Sequence, residues 1–124
     1  MNSNSDNPRI GKAFEKAVKK WAVDYYDCGF NEEQPVDIGN PARPHKFDLV
    51  SQDSKIIIEC KCYTWTDGGN VPSAKLATLD EAVLYLRSVT SSATKVIAMK
   101  KDYNKKKGIT LAEYFCDKKG HLLE

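Results

Sequence analysis

From Arg9 onward, apolar residues fall at Ile10, Ala13, Phe14, Ala17, Val18, Trp21 and Ala22, the spacing of one face of an α-helix. Pro8 suits a first helical position, where no N–H is needed. The stripe predicts a helix ending near Cys28-Gly29, with Gly29 available for a left-handed cap. Lys12, Glu15, Lys16, Lys19 and Lys20 lie off the stripe. Turn residues around Pro35 and Gly39-Asn40-Pro41 then leave room only for a short extended piece at residues 36–38. Residues 46–50 alternate like a strand, Ser51-Gln52-Asp53-Ser54 has turn chemistry, and residues 55–62, Lys-Ile-Ile-Ile-Glu-Cys-Lys-Cys, form the strongest strand in the chain. Two strands joined by so short a loop predict an antiparallel hairpin.

A loop over residues 64–73 holds Asp67-Gly68-Gly69-Asn70 and Pro72. Ser73 is placed to N-cap a helix reaching about Ser88, with Leu76, Leu79, Val83 and Leu86 as its apolar stripe. Residues 95–99 read as a buried strand and are followed by a lysine-rich loop. Thr110 caps a short last helix to about Asp117, and residues 120–123 are a candidate edge strand. A helix crossing over between residues 62 and 95 makes the two strands it joins parallel neighbours. The expectation is an α/β domain with a mixed β-sheet flanked by helices, spanning residues 9–124 behind a disordered lead at residues 1–8.

The 124 residues are 41% apolar and 29% charged, enough for one core and a solvated surface. No apolar stretch approaches the roughly 20 residues of a membrane span, and the polar N-terminus lacks a signal-peptide core; a cytoplasmic location is expected. Cys28, Cys60, Cys62 and Cys116 then read as thiols, and Cys60-x-Cys62 lacks the second pair of a zinc site. Residues 1–62 carry a net charge of −1 and residues 63–124 one of +3. Much of that excess lies in the run from Lys100 to Lys107, either a solvated loop or a phosphate contact.

Chemistry concentrates on the strongest strand. Ile56, Ile58, Cys60 and Cys62 share one face; Lys55, Ile57, Glu59 and Lys61 share the other. A loop of Asp53-Ser54 pairs Gln52 with Lys55 and so sets Asp48 opposite Glu59, roughly 5 Å apart at Cβ. Two facing carboxylates repel, and a divalent cation with hard oxygen ligands resolves the repulsion; Mg²⁺, keeping several waters, suits the pair. Lys61 points to the same spot. The plainer alternative is a surface ion pair of Glu59 with Lys61 and a solvated Asp48.

Asp48 followed by Glu59-Cys60-Lys61, in the element order α-β-β-β-α-β, resembles the PD-(D/E)xK, or restriction-endonuclease-like, nuclease superfamily over about residues 9–100. Arg9-x-Gly11-x-x-x-Glu15, and Gly29-Phe30 with Asp37-Ile38-Gly39, are similar to Holliday-junction resolvases within it. The naming proline is missing: Lys46-Phe47 precedes Asp48, with Pro44 four residues upstream. The resemblance implies a restriction-endonuclease-like fold and a metal-dependent endonuclease acting on phosphodiester bonds, with DNA the expected substrate. By the same resemblance Asp48 and Glu59 hold Mg²⁺ (Mn²⁺ as substitute), Glu15 is an auxiliary metal or water ligand, and Lys61 serves the attacking water.

Lys19, Lys20, Arg43, Lys75, Lys100 and Lys101 are the candidate nucleic-acid contacts. Tyr63 and Trp65 either stack on a nucleotide or cap the end of the sheet, and His45 is a weaker candidate acid. Glu15 has the plainer alternative of an i+4 pair with Lys19. Cutting both strands of a duplex with one site per chain implies a homodimer. A competing expectation is a non-catalytic nucleic-acid-binding or assembly module on the same fold.

Overall fold

Helix α1 (Pro8–Tyr26) buries Val18 and Ala22 against Phe30, Leu49 and Ile58, with Phe14 packed alongside. The computed structural model describes residues 8–123, so the expected lead at residues 1–7 lies outside the described residues, and Pro8 is helical. Trp21 departs from the expected buried stripe: it is 46% exposed and stacks on Tyr25 at a ring-centroid distance of 5.0 Å. The helix ends differently as well. Asp27, not Gly29, takes the left-handed conformation (φ 54°), which a short polar side chain tolerates. Gly29 serves a close approach: its carbonyl accepts from the Gln52 N–H at 3.0 Å, and a Cβ there would sit 2.7 Å from the Gln52 side chain.

Strands β1 (Phe30–Ile38) and β2 (Arg43–Ser51), nine residues each, form an antiparallel ladder of eight pairs, far longer than the short extended piece expected. Proline misled the sequence reading. Pro35 is tolerated because β1 is an edge strand in the order β1-β2-β3-β4. Pro44 is tolerated because β3 (Ile56–Lys61) pairs with β2 only at Leu49↔Ile58 and Val50↔Ile57. That pairing is the register the hairpin arithmetic predicted. The turn is fastened by Ser51, which is buried; its Oγ accepts from the N–H groups of Lys55 (3.1 Å) and Ile56 (2.9 Å) and donates to Asp53 Oδ1 (2.6 Å).

Helix α2 (Ser73–Arg87) buries Leu79, Ala82, Val83 and Leu86. Ser73 is its first helical residue; the N-cap is Pro72, which makes no side-chain cap. Strand β4 (Thr94–Met99) lies parallel to β3, from Ile56↔Thr94 to Lys61↔Met99, as the crossover rule requires. The sheet is therefore mixed and covered on both faces, by α1 on one and α2 on the other.

The lysine stretch is not a plain loop. Strands β5 (Tyr103–Asn104) and β6 (Ile109–Thr110) make a small hairpin within it. Helix α3 (Leu111–Lys119) follows, opened by a capping box between Thr110 and Glu113. The expected edge strand at residues 120–123 is instead a 3-10 turn, Gly120–Leu122, because Gly120 keeps helical dihedrals and its N–H reaches back to the Cys116 carbonyl. Among the described residues no helix is long and apolar enough to cross a membrane.

Candidate functional site

Asp48 occupies a break in the sheet on both its sides. Toward β1, the ladder has one gap, at Glu33 opposite Asp48, and Glu33 adopts φ 48°. Toward β3, backbone pairing stops at Leu49↔Ile58. The kink sends Phe47 into the α2-side core and Leu49, two residues on, into the α1-side core. An uninterrupted strand would have put both on one face.

Where the β2–β3 ladder stops, the two acidic side chains replace it. Glu59 Oε1 accepts the Asp48 N–H at 2.9 Å, and Asp48 Oδ2 accepts the Cys60 N–H at 2.7 Å. Each carboxylate thereby fixes the backbone that carries or adjoins the other and keeps one oxygen for a further ligand. The plainer alternative of a solvated Asp48 beside a surface Glu59 does not hold, because Glu59 is 8% exposed. Burial first, and the charge of Asp48 second, push the Glu59 carboxyl up to about 7; the amide of Asp48 and the charge of Lys61 only partly offset this. Burial, with Asp48 next, likewise raises the Cys60 thiol.

Glu15 approaches from α1. Its carboxyl is raised above the ordinary value by burial and then by the Asp48 charge, with Lys12 opposing. Lys12, not Lys19, is its ion-pair partner, at 3.6 Å, and Glu15 Oε1 is buried with no hydrogen-bond partner. Glu15 is thus within electrostatic reach of both Asp48 and Glu59. The three do not close into a cage: among the described residues no group of three His, Cys, Asp or Glu side chains is poised to hold a metal ion. The donor set nonetheless suits a hard cation. Mg²⁺ needs only one or two carboxylates and keeps its waters, and the carboxylates of Asp48, Glu59 and Glu15 all offer hard oxygens.

Lys61 ends β3 with its ammonium 5.9 Å from the centroid of the Tyr63 ring. Lys75, from the first turn of α2, lies 5.7 Å from the same ring, and the Tyr63 hydroxyl is hydrogen-bonded to Thr78. Tyr63 is therefore a platform that gathers two cations, of which Lys61 acts on the Glu59 carboxyl, a role that alternation alone does not reveal. Trp65 is buried: its N–H groups bond Asp102 Oδ2 (2.8 Å) and the Asp102 carbonyl (2.9 Å), and its ring meets Tyr114 edge-on. It is locked against the segment that carries β5 and against Tyr114 of α3, and is not displayed for a nucleotide. Asn104 completes this lock, donating to the Gly69 carbonyl and accepting from Lys106 and Lys107. Asp102 and Asn104 escaped the sequence reading because they sit inside the lysine run, although an Asp-x-Asn opening a turn is a usable signal.

The other expected contacts scatter. Lys19 is bound to Glu32 at 3.0 Å, so its ammonium is already engaged. Lys20, Arg43 and Lys101 are exposed. Lys100 is half-buried and its N–H bonds the Lys61 carbonyl at 3.2 Å. His45 stacks on Tyr85 with centroids 4.0 Å apart and meets Phe47 edge-on, in the α2-side layer. Comparison with protein-family models, with curated proteins and with solved structures gives no match. The functional reading therefore rests on geometry.

Proposed function

We propose that the chain is a metal-dependent nuclease that hydrolyses phosphodiester bonds, with DNA as the expected substrate. The observation that carries this reading is the reciprocal bonding of Asp48 and Glu59, which holds two acids together at the end of β3 despite their repulsion. A fold that needed only stability would not set two acids together with Glu59 buried and the Lys61 charge only partly offsetting the cost. It also supports the resemblance to the PD-(D/E)xK superfamily, since Asp48, Glu59 and Lys61 are the positions that match its motif.

Asp48 and Glu59 would hold Mg²⁺, with Glu15 as an auxiliary oxygen. When bound, the cation supplies Lewis-acid polarisation of the phosphate and a more acidic water. The protein's own groups do the rest. The backbone amides of Asp48 and Cys60 fix the two carboxylates. Lys61, held against Tyr63, offers an ammonium to the charge that develops on the phosphate oxygens. Lys75, Lys100 and Lys101 are the nearby cations suited to neighbouring phosphates, and Lys20 and Arg43 are available farther along a backbone.

The direct test is cleavage of plasmid, branched and single-stranded substrates with Mg²⁺. Activity is expected in the wild type and absent in Glu59→Ala and Lys61→Ala; equal cleavage by all three proteins defeats the proposal. A second reading, a nucleic-acid-binding or assembly module without catalysis, is favoured by the open carboxylate set and the exposed lysines 105–107. Calorimetric titration with Mg²⁺ separates the two. Heat that vanishes in Asp48→Asn supports the nuclease, and salt-sensitive DNA binding indifferent to metal supports the module.

A further inference from the structure

The two edges of the sheet are built differently. The outer edge of β1 carries Pro35, the acids Glu32, Glu33 and Asp37, and the left-handed kink at Glu33. These are devices that prevent a further strand from adding. The outer edge of β4, Thr-Lys-Val-Ile-Ala-Met, has none of them and a single charge, Lys95. The Thr94 N–H bonds the Lys55 carbonyl and the Lys100 N–H the Lys61 carbonyl, at 2.7 and 3.2 Å. A parallel ladder repeats every two residues, so the N–H groups of Thr94, Val96 and Ala98 face β3. Those of Lys95, Ile97 and Met99 face outward, where no strand pairs with them among the described residues.

Apolar grooves flank this edge on both faces. On the α1 side one runs between Phe14, Trp21 and Ala98; on the α2 side another runs between Leu86, Ala93, Ile97 and Leu123, with Arg87 and Lys95 also lining it. A strand added here sends alternate side chains into the two grooves, so it must be apolar at both parities. Residues 1–7, Met-Asn-Ser-Asn-Ser-Asp-Asn, fail that requirement. β4 itself meets it, with Val96 and Ala98 on one face and Ile97 and Met99 on the other.

We propose that the outer edge of β4 pairs antiparallel with β4 of a second copy of this chain, about a two-fold axis at Ile97, to make one continuous sheet across a homodimer. This register sets Val96 opposite Ala98 and Lys95 opposite Met99. The two Lys95 charges then lie four residues apart along the strands, roughly 13 Å at strand rise, beyond the screening length of about 8 Å at physiological salt. The two-fold keeps both α1 helices on one face. The exposed Trp21–Tyr25 stack of each copy then flanks the shared edge and gains cover. Because Glu59 pairs with Ile97, the Glu59 backbones of the two copies lie level with the two-fold axis, three strand spacings or roughly 14 Å apart across the joint sheet. The dimer does not depend on the nuclease reading.

Light scattering on size-excluded wild-type protein, from micromolar to submillimolar concentration, is expected to give twice the 13.9 kDa chain mass. The mass of a single chain throughout that range overturns the proposal. Lys95→Pro removes only an outward N–H and is expected to halve the mass with an unchanged circular-dichroism spectrum; a natively folded Lys95→Pro dimer also overturns it. Amide exchange on the wild type needs no variant. The Ile97 amide should slow as concentration rises, and exchange at Ile97 independent of concentration counts against the proposal.

Discussion

Asp48 and Glu59 hold each other through the main chain: the Asp48 amide donates to the Glu59 carboxylate at 2.9 Å, and the Asp48 carboxylate accepts from Cys60, the neighbour of Glu59, at 2.7 Å. Side chains stand in for ladder bonds at the point where β2 leaves β3. Asp48→Ala leaves the Cys60 N–H without its acceptor, which costs about 1–3 kcal/mol; Asp48→Asn keeps an acceptor oxygen and should cost less. Urea melts near about pH 5, where Glu59 is protonated and its repulsion removed, isolate this cost. Equal stabilities of the two variants would show that the bond carries little.

Glu59 makes stability fall as pH rises. Its folded carboxyl sits at about 7 against an ordinary 4.5, so between those values the folded state binds more protons than the unfolded chain. The penalty is absent below about pH 4.5, grows through the window and is complete above about pH 7, on the order of 3 kcal/mol for such a shift. Glu15, also raised, acts with the same sign. Glu59→Gln should raise the melting temperature at about pH 8, change it little at about pH 4.5, and flatten the slope between. Thermal melts across that range check it, and an unchanged slope would remove Glu59 as its source.

Mg²⁺ should oppose that trend. A cation held by Asp48 and Glu59 favours the deprotonated pair, so added Mg²⁺ should raise the melting temperature more above pH 7 than below it, following mass action. Asp48→Asn should lose the effect. A pH-independent rise shared by the variant would place the cation elsewhere.

Ser51 governs the register on which the acids depend. Its hydroxyl serves two amides and Asp53 from a buried position. Ser51→Ala should cost about 1–3 kcal/mol through the Ile56 N–H, which loses its acceptor, while the Lys55 N–H keeps Asp53 Oδ1. Amide exchange at Ile56 and Ile57 should quicken before exchange at Val96 does.

Asp102 ties the stretch after β3 to the β5–β6 hairpin through Trp65. Asp102→Ala frees the Trp65 amide and should lower stability by about 1–3 kcal/mol. Trp65 fluorescence should shift to longer wavelength as the ring gains water. Because Lys61 lies just upstream, the same variant should also weaken cleavage; full activity with a freed Trp65 would uncouple the lock from the site.

Local pattern was enough for α1, β3 and the turn before it. The 3-4 stripe from Ile10 to Ala22 fixed α1, the run Ile56-Ile57-Ile58 fixed β3, and the turn at residues 51–54 fixed the register that sets Asp48 against Glu59. These features depend on neighbours within a few residues, where periodicity and turn chemistry act directly. What lay beyond the sequence depended on partners distant in the chain. Pro35 reads as a breaker until β1 is known to be an edge. The face on which Phe47 lands depends on the kink at Glu33, and the burial that lifts Glu59 to about 7 comes from layers brought together only on folding. Lys19 reads as a phosphate contact until Glu32 is folded against it, and Trp65 as a stacking ring until Asp102 claims it. Sequence composition names the charged and aromatic groups; only the tertiary structure decides which of them already have a partner, because a partner's distance is set by packing and not by its place along the chain.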